Sequence, residues 1–400
     1  MVNSLSRKDD KTTLVADLSC SLLIVSQALF GLIGISNISL FFSIALVIFI
    51  FLNIKKFKIH FGYVFLVLTI IICFLLSIIL HGANSYVLGY FERFLLFGAV
   101  GGLCFSQQLK ISRIFRIVCF LSIVIIPFSF YRITLVDVYT KSDSYMSWSY
   151  SLFPLFCIAF LSFKYRYINR VLALVIIVSL SFFFLRYGTR GIYLSIALFL
   201  FGFLIISIQK SRSIKITLLM AIFLLLIFIV YFHLAEMLGL LSNALNSFGI
   251  DSWALEKMAL KISNSQIDSG RDIIYASAFE GILNNPFGHL ISSFELQFSM
   301  HAHNVFVQVM YEFGIIGLFA CIALLFFGLK ASSNRKHGFQ LSFTLLICSF
   351  GVLIVSSSYW DNPFFWFLIS YVFFAKKPQK LRHNNVFVRK QRSLLNGILS

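Results

Sequence analysis

The chain has 400 residues, of which 59% are hydrophobic, 17% aromatic and only 12% charged, and its formal net charge is +18. Apolar runs extend from one end to the other, which excludes an ordinary soluble domain and fits an all-α polytopic membrane protein. The positive charge comes in small clusters between these runs rather than in one patch, so no nucleic-acid partner is expected.

The first run, at about 13–33, follows Arg7, Lys8 and Lys11 and has no convincing small-residue cleavage site. It reads as a retained span with the N-terminus inside. Further runs long or apolar enough to span lie at about 37–54, 61–80, 90–107, 114–131, 149–163, 171–186, 191–208, 214–234, 304–328, 339–357 and 363–375. The expectation is about twelve transmembrane helices, with one large periplasmic loop at 235–302 between the ninth and tenth. Basic clusters fall in alternate loops: Lys55, Lys56 and Lys58; Lys110, Arg113 and Arg116; Lys164, Arg166 and Arg170; Lys210, Arg212 and Lys215; Lys330, Arg335 and Lys336. With the basic tail from Lys376 to Arg392, they put both termini on the cytoplasmic side. The seven cysteines all sit inside apolar runs, where a thiol acts as a small apolar group, so no disulfide is expected.

Arginine on the outer side has no orienting job and needs another reason. Arg186 and Arg190 stand in the short turn RYGTRGIY between two apolar runs. Burying a charge mid-bilayer costs about 2.5 to 3.5 kcal/mol, but at the interface snorkelling removes most of that cost. Anchoring to lipid headgroups is therefore the plain reading of Arg186. Arg190, flanked by Gly188 and Gly191, is less crowded and freer to bind a ligand.

In the long loop, Leu255, Met258, Ala259 and Ile262 recur at helical spacing opposite Lys257 and Lys261, as in a helix lying on the membrane. Next comes SGRDIIYASAFEGILNNPFG, in which Ser269 and Asp272 resemble a capping box and Arg271, Tyr275 and Phe279 share a face. A cation in the first helical turn opposes the helix dipole. Either Arg271 pairs with Asp268 or Asp272, or an anion binds there between free N–H groups and the guanidinium.

The stretch HAHNVFVQVMYEFGIIGL, residues 301–318, puts two histidines and an asparagine at the head of an apolar run. Histidine can exchange a proton near pH 7. His301 and His303 do not share a helix face and make a poor metal pair, even with His289 nearby, so no metal is expected. Asn304 or His303 can also serve simply as a helix cap, and Gly314 and Gly317 as a close contact between helices.

Taken together, His303-Asn304 followed by Gly314 and Gly317, the Thr189-Arg190-Gly191 turn, the large loop, and Ser269-Gly270-Arg271 opening a helix that closes on Asn285-Pro286-Phe287-Gly288 resemble the O-antigen ligase and polymerase superfamily of bacterial envelope glycan enzymes. The resemblance covers about 185–330 in detail and the rest by topology. It implies a GT-C-like glycosyltransferase at the periplasmic face of the bacterial inner membrane, using an undecaprenyl-diphosphate-linked oligosaccharide without cofactor or metal. It further implies that Arg190 and Arg271 bind the diphosphate and that His303 meets the acceptor hydroxyl as general base or orienting group. His301, Asn304, Arg186 and Tyr275 are secondary candidates, and membrane lipid and a chain-length regulator protein are candidate partners. The segment DSYMSWSYSLFPLF, 143–156, is similar to one in repeat-unit polymerases and favours polymerase over ligase. A transporter or flippase is the rival of another class, but transporters carry ionisable or broken segments at mid-membrane. Here Glu312 is the main such residue and the polar groups gather at one surface.

Overall fold

The computed structural model describes residues 2–33, 36–135, 144–208, 271–333, 338–354 and 356–375, with a few more between 239 and 247. The expected span at 214–234, the amphipathic stretch around Leu255 to Ile262 and the basic tail lie outside the described residues. For Arg190 and Arg271 the backbone alone is described.

Every described residue in regular structure is helical. The elements are α1 Val2–Ile33, α2 Ser36–Leu52, α3 Phe61–His81, α4 Ser85–Arg93, α5 Gly102–Phe105, α6 Ile111–Leu135, α7 Ser144–Tyr165, α8 Arg170–Tyr187 and α9 Arg190–Ile208. Further along the chain come α10 Arg271–Asn284, α11 Ser293–Phe298, α12 Val305–Ser333, α13 Phe339–Leu346 and α14 Pro363–Phe374. Among the described residues, five segments are long and apolar enough to cross a bilayer, 61–81, 85–105, 111–131, 170–187 and 305–333, and four shorter apolar helices accompany them. Each expected run that lies within the described residues falls on a helix or a helical pair, with ends displaced by a few residues.

Asparagine starts several of these helices. The side chains of Asn84, Asn169 and Asn362 accept from Val87 N, Val171 N and Phe364 N, satisfying donors that the first turn leaves open. Serines within the apolar helices turn inward on their own backbone, as Ser21 Oγ donates to Asp17 O and Ser122 Oγ to Val118 O. A hydroxyl satisfied this way can be buried at little cost.

The run at 90–107 is not one regular helix. Between α4 and α5 the chain widens into a π-helical stretch, Phe94–Gly101, which leaves carbonyls displaced from their usual partners. The Tyr63 hydroxyl donates to Gly98 O at 2.7 Å and also engages Ala99 O. Side chains would not fit here: a Cβ on Gly101 would lie 2.6 Å from the Phe367 ring, and one on Gly102 2.4 Å from Ser370 Oγ. A second π stretch, Ile347–Gly351, extends α13.

In the core, α7 packs on α8, α1 on α6 and α7, α12 on α13, and α14 on α5 and the π stretch. Trp360 is buried at the centre of an aromatic cluster, 4.9 Å from Phe74, 5.3 Å from Trp366 and 5.9 Å from Tyr90, ring to ring. Large apolar side chains also cover the outside, among them Phe65, Ile79, Val171, Ile316 and Phe319. So much exposed apolar surface is what a bilayer, not water, would cover.

Candidate active site at a broken helix

The head of α12 is built by a loop that locks onto a break in the helix. At Gly314 the backbone leaves the helical region, with φ 65° and ψ −156°. The break frees carbonyls of the preceding turn, and the loop after α10 takes them: His289 N donates to Tyr311 O at 3.0 Å and Leu290 N to Glu312 O at 2.8 Å, while Ile315 N donates back to Pro286 O at 3.0 Å. Asn285 closes the turn by donating from Nδ2 to Gly288 O at 2.7 Å. The approach is backbone on backbone. A Cβ at Gly314 would stand 2.1 Å from Pro286 O, and one at Gly288, where φ is 92°, 2.5 Å from Glu312 O.

This corrects one expectation from sequence. Gly314 does not serve a helix-helix contact; it lets the Asn285 to Gly288 turn into a gap in its own helix. Gly317 is required by the crowding that follows, since a Cβ there would meet Phe313 Cβ at 2.6 Å and Val309 O at 2.8 Å, both on α12.

The histidines sit between α11 and α12. His303 has left-handed backbone, φ 53°, which a non-glycine residue adopts at a cost of order 1 kcal/mol or more when its surroundings hold it there. Asn304 caps α12, its Oδ1 accepting from Phe306 N at 3.0 Å, so the plain reading of this residue is the one observed. Tyr275, one turn into α10 from Arg271, donates from its hydroxyl to Ala302 O at 2.7 Å. That bond ties the Arg271 helix to the residue before His303.

The Arg190 turn is held by contacts of its own. Gly188 lets the chain turn tightly, since a Cβ would be 2.3 Å from Phe184 O, and the Tyr193 hydroxyl holds the turn through that carbonyl at 2.8 Å. Ser195 Oγ, on the second turn of α9, donates to Gly351 O at 2.9 Å. Next to Gly351, the Phe350 ring lies 6.1 Å from that of Phe306, three residues beyond His303. Arg186 is half-buried with its guanidinium 5.3 Å from the Tyr187 ring centre. Ser149 Oγ, within the DSYMSW segment, donates to Tyr187 O at 2.8 Å. The first residues of α9 and α10 are both arginines; Tyr275 bonds α10 to Ala302 beside His303, and Ser195 bonds α9 to Gly351.

Beneath the histidines is a buried polar network that the sequence reading missed. Glu295 Oε1 accepts from the Tyr90 hydroxyl at 2.7 Å and from Gln308 Nε2 at 2.9 Å, and lies 3.2 Å from His301 Nδ1. Gln308 Nε2 also reaches Glu312 Oε1 at 3.2 Å and Ser358 Oγ at 2.9 Å. Glu312 accepts from Trp360 Nε1 at 2.9 Å and from the Tyr359 hydroxyl. Glu295, Gln308 and Glu312 are 1%, 0% and 0% exposed, far below what carboxylates and amides tolerate without partners. At the rim, Asp361 pairs with Arg93 and lies 3.8 Å from His301 Nε2. The bond to Glu295 raises the pKa of His301, Asp361 and the Glu295 charge add to this, and desolvation and Arg93 oppose it. The available signals were Arg93, a basic residue on the outer side, and Glu312, a carboxylate inside an apolar run. Nothing local marked Glu295 or Tyr90 as members of the same network.

Residues 173–322 match the family model described as O-antigen ligase. No curated protein and no solved structure matches the chain.

Proposed function

We propose, from the match of residues 173–322 to the family model described as O-antigen ligase, that the chain transfers a glycan from undecaprenyl diphosphate to a sugar hydroxyl at the periplasmic face of the bacterial inner membrane. In this reading the protein is an O-antigen polymerase, and the acceptor is the sugar end of another lipid-linked repeat unit. The observation that carries this reading is the match over 173–322, and the Tyr275 bond to Ala302, which ties the helix that Arg271 opens to the residue before His303, supports it.

Helix N-termini gather unpaired N–H groups and partial positive charge, and an arginine beside each adds a planar donor fork suited to phosphate oxygens. Arg190 and Arg271 bind the diphosphate of the donor and stabilise the charge that develops as it leaves. His303 faces the acceptor hydroxyl and orients it for in-line attack, which inverts the anomeric centre. The exposed apolar face of α10, with Ile273, Phe279 and Leu283, suits a helix lying against lipid chains that carry the donor. The polymerase reading is favoured by the DSYMSW segment, whose Ser149 contacts the backbone of the arginine turn. A ligase, moving the finished chain onto lipid A core, is the alternative.

Deleting the gene and separating the lipopolysaccharide on a gel distinguishes the two. Loss of a polymerase leaves core carrying a single repeat. Loss of a ligase leaves bare core, with polymer accumulating on the lipid carrier. Unchanged ladders in a strain with no second copy rule out both.

A further inference from the structure

The transfer proposed above requires a destination for the acceptor proton, and the corner holds two histidines. We propose that the proton-accepting group is His301, with the buried Glu295 as its positioning residue; the inference rests on the glycan-transfer reading.

The two ring nitrogens of His301 have different surroundings. His301 Nδ1 lies 3.2 Å from Glu295 Oε1, a carboxylate oxygen shielded from water and itself fixed by the Tyr90 hydroxyl at 2.7 Å and Gln308 Nε2 at 2.9 Å. With Nδ1–H donating to that oxygen, the tautomer is set and Nε2 is left with its lone pair. The side chain of His301 is 34% exposed, so Nε2 can be reached from the outer surface. A buried carboxylate behind an imidazole whose far nitrogen faces the substrate is the arrangement that makes histidine an effective base.

The groups facing His301 from the surrounding elements are Tyr90 and Arg93 on α4, Glu295 on α11, His303 in its own loop and Asp361 before α14. The Tyr90 hydroxyl is 3.0 Å from Nδ1, Asp361 Oδ2 is 3.8 Å from Nε2, and the His303 ring stands edge-on at 6.4 Å. Two carboxylates therefore stabilise the imidazolium once it forms: Glu295 through Nδ1 and Asp361 beside Nε2. In the reaction the acceptor O–H bond breaks and its proton moves to Nε2. The acceptor oxygen bonds to the anomeric carbon, and the bond from that carbon to the diphosphate oxygen breaks with its electron pair kept by the leaving diphosphate. His303, edge-on to this base, orients the hydroxyl.

The test uses full-length protein in lipid nanodiscs with an undecaprenyl-diphosphate-linked repeat unit as substrate. In Glu295→Gln we expect kcat to fall on the order of 100-fold with KM little changed. The acid limb of its pH profile should move to lower pH, because the imidazole loses the carboxylate that made it more basic. A packing role would reduce the inserted protein and leave the limb where it was. Should Glu295→Gln fail to insert, His301→Ala decides: added imidazole restores transfer to this variant, with a rate that rises as imidazole deprotonates. An unmoved limb in Glu295→Gln, or no rescue of His301→Ala, overturns the proposal. Carbethoxylation of His301 against pH, read by mass spectrometry, follows its neutral form without any turnover, and its midpoint should drop in Glu295→Gln. Absence of transfer by the wild-type protein sinks the function together with the base, whereas wild-type transfer with an unmoved limb sinks the base alone.

Discussion

At the level of single residues, the proposed transfer has arginines binding phosphate and histidines handling a hydroxyl. Lysine keeps the charge of arginine but loses the planar fork. Arg190→Lys and Arg271→Lys should therefore each lose at least about tenfold in transfer, measured as release of undecaprenyl diphosphate, while the protein still inserts. His301 also gives a pH-dependent stability with a definite sign. Its pKa is raised in the folded protein, chiefly by the bond to Glu295, so the stabilisation is fully present below the ordinary histidine range and is lost as pH rises through the raised value. The melting temperature in detergent should decline across that window in the wild type, and the decline should be weaker in His301→Gln. Of the residues singled out from sequence, Asn304 proves to be a helix cap and Tyr275 a tether for Ala302.

At the scale of elements, the decisive device is the gap in α12 filled by the turn after α10. Both sides of the contact are backbone, and Gly314 and Gly288 both have positive φ, so a methyl group has nowhere to go. Gly314→Ala should destabilise the protein by about 3 kcal/mol or more, combining backbone strain with overlap at the Pro286 carbonyl. Thermal unfolding in detergent would register this as a large drop in midpoint; a change within error would mean that the break is not needed. The elements themselves were legible because a bilayer imposes a simple rule of apolar length, and the runs at 61–80, 114–131, 171–186 and 304–328 coincide with α3, α6, α8 and α12. The π stretches and the break at Gly314 were not legible, because they arise from neighbours distant in sequence: Tyr63 on Gly98, and Pro286 on Gly314. The same holds for Glu295, whose partners Tyr90, His301 and Gln308 come from three different elements.

For the whole molecule, the proposed topology puts the charge clusters on one side of the membrane and the polar chemistry on the other. The basic loop at Lys55 to Lys58 lies at the opposite end of α3 from His81. Single cysteines introduced at Lys56 and at Leu283, which is 81% exposed, should react with a membrane-impermeant thiol reagent from opposite sides of the inner membrane. Labelling of both from the same side would contradict the topology. The resemblance read from three short motifs in order and the match over 173–322 concern the same part of the chain, the part that builds the corner. The central claim is that this corner transfers a lipid-linked glycan to a sugar hydroxyl. Its most direct test is to reconstitute purified protein in nanodiscs with an undecaprenyl-diphosphate-linked repeat unit and follow the lipid diphosphate released and the lengthened product. The account predicts both from the wild type and neither from an equally folded His303→Ala variant; equal turnover by the two would contradict it.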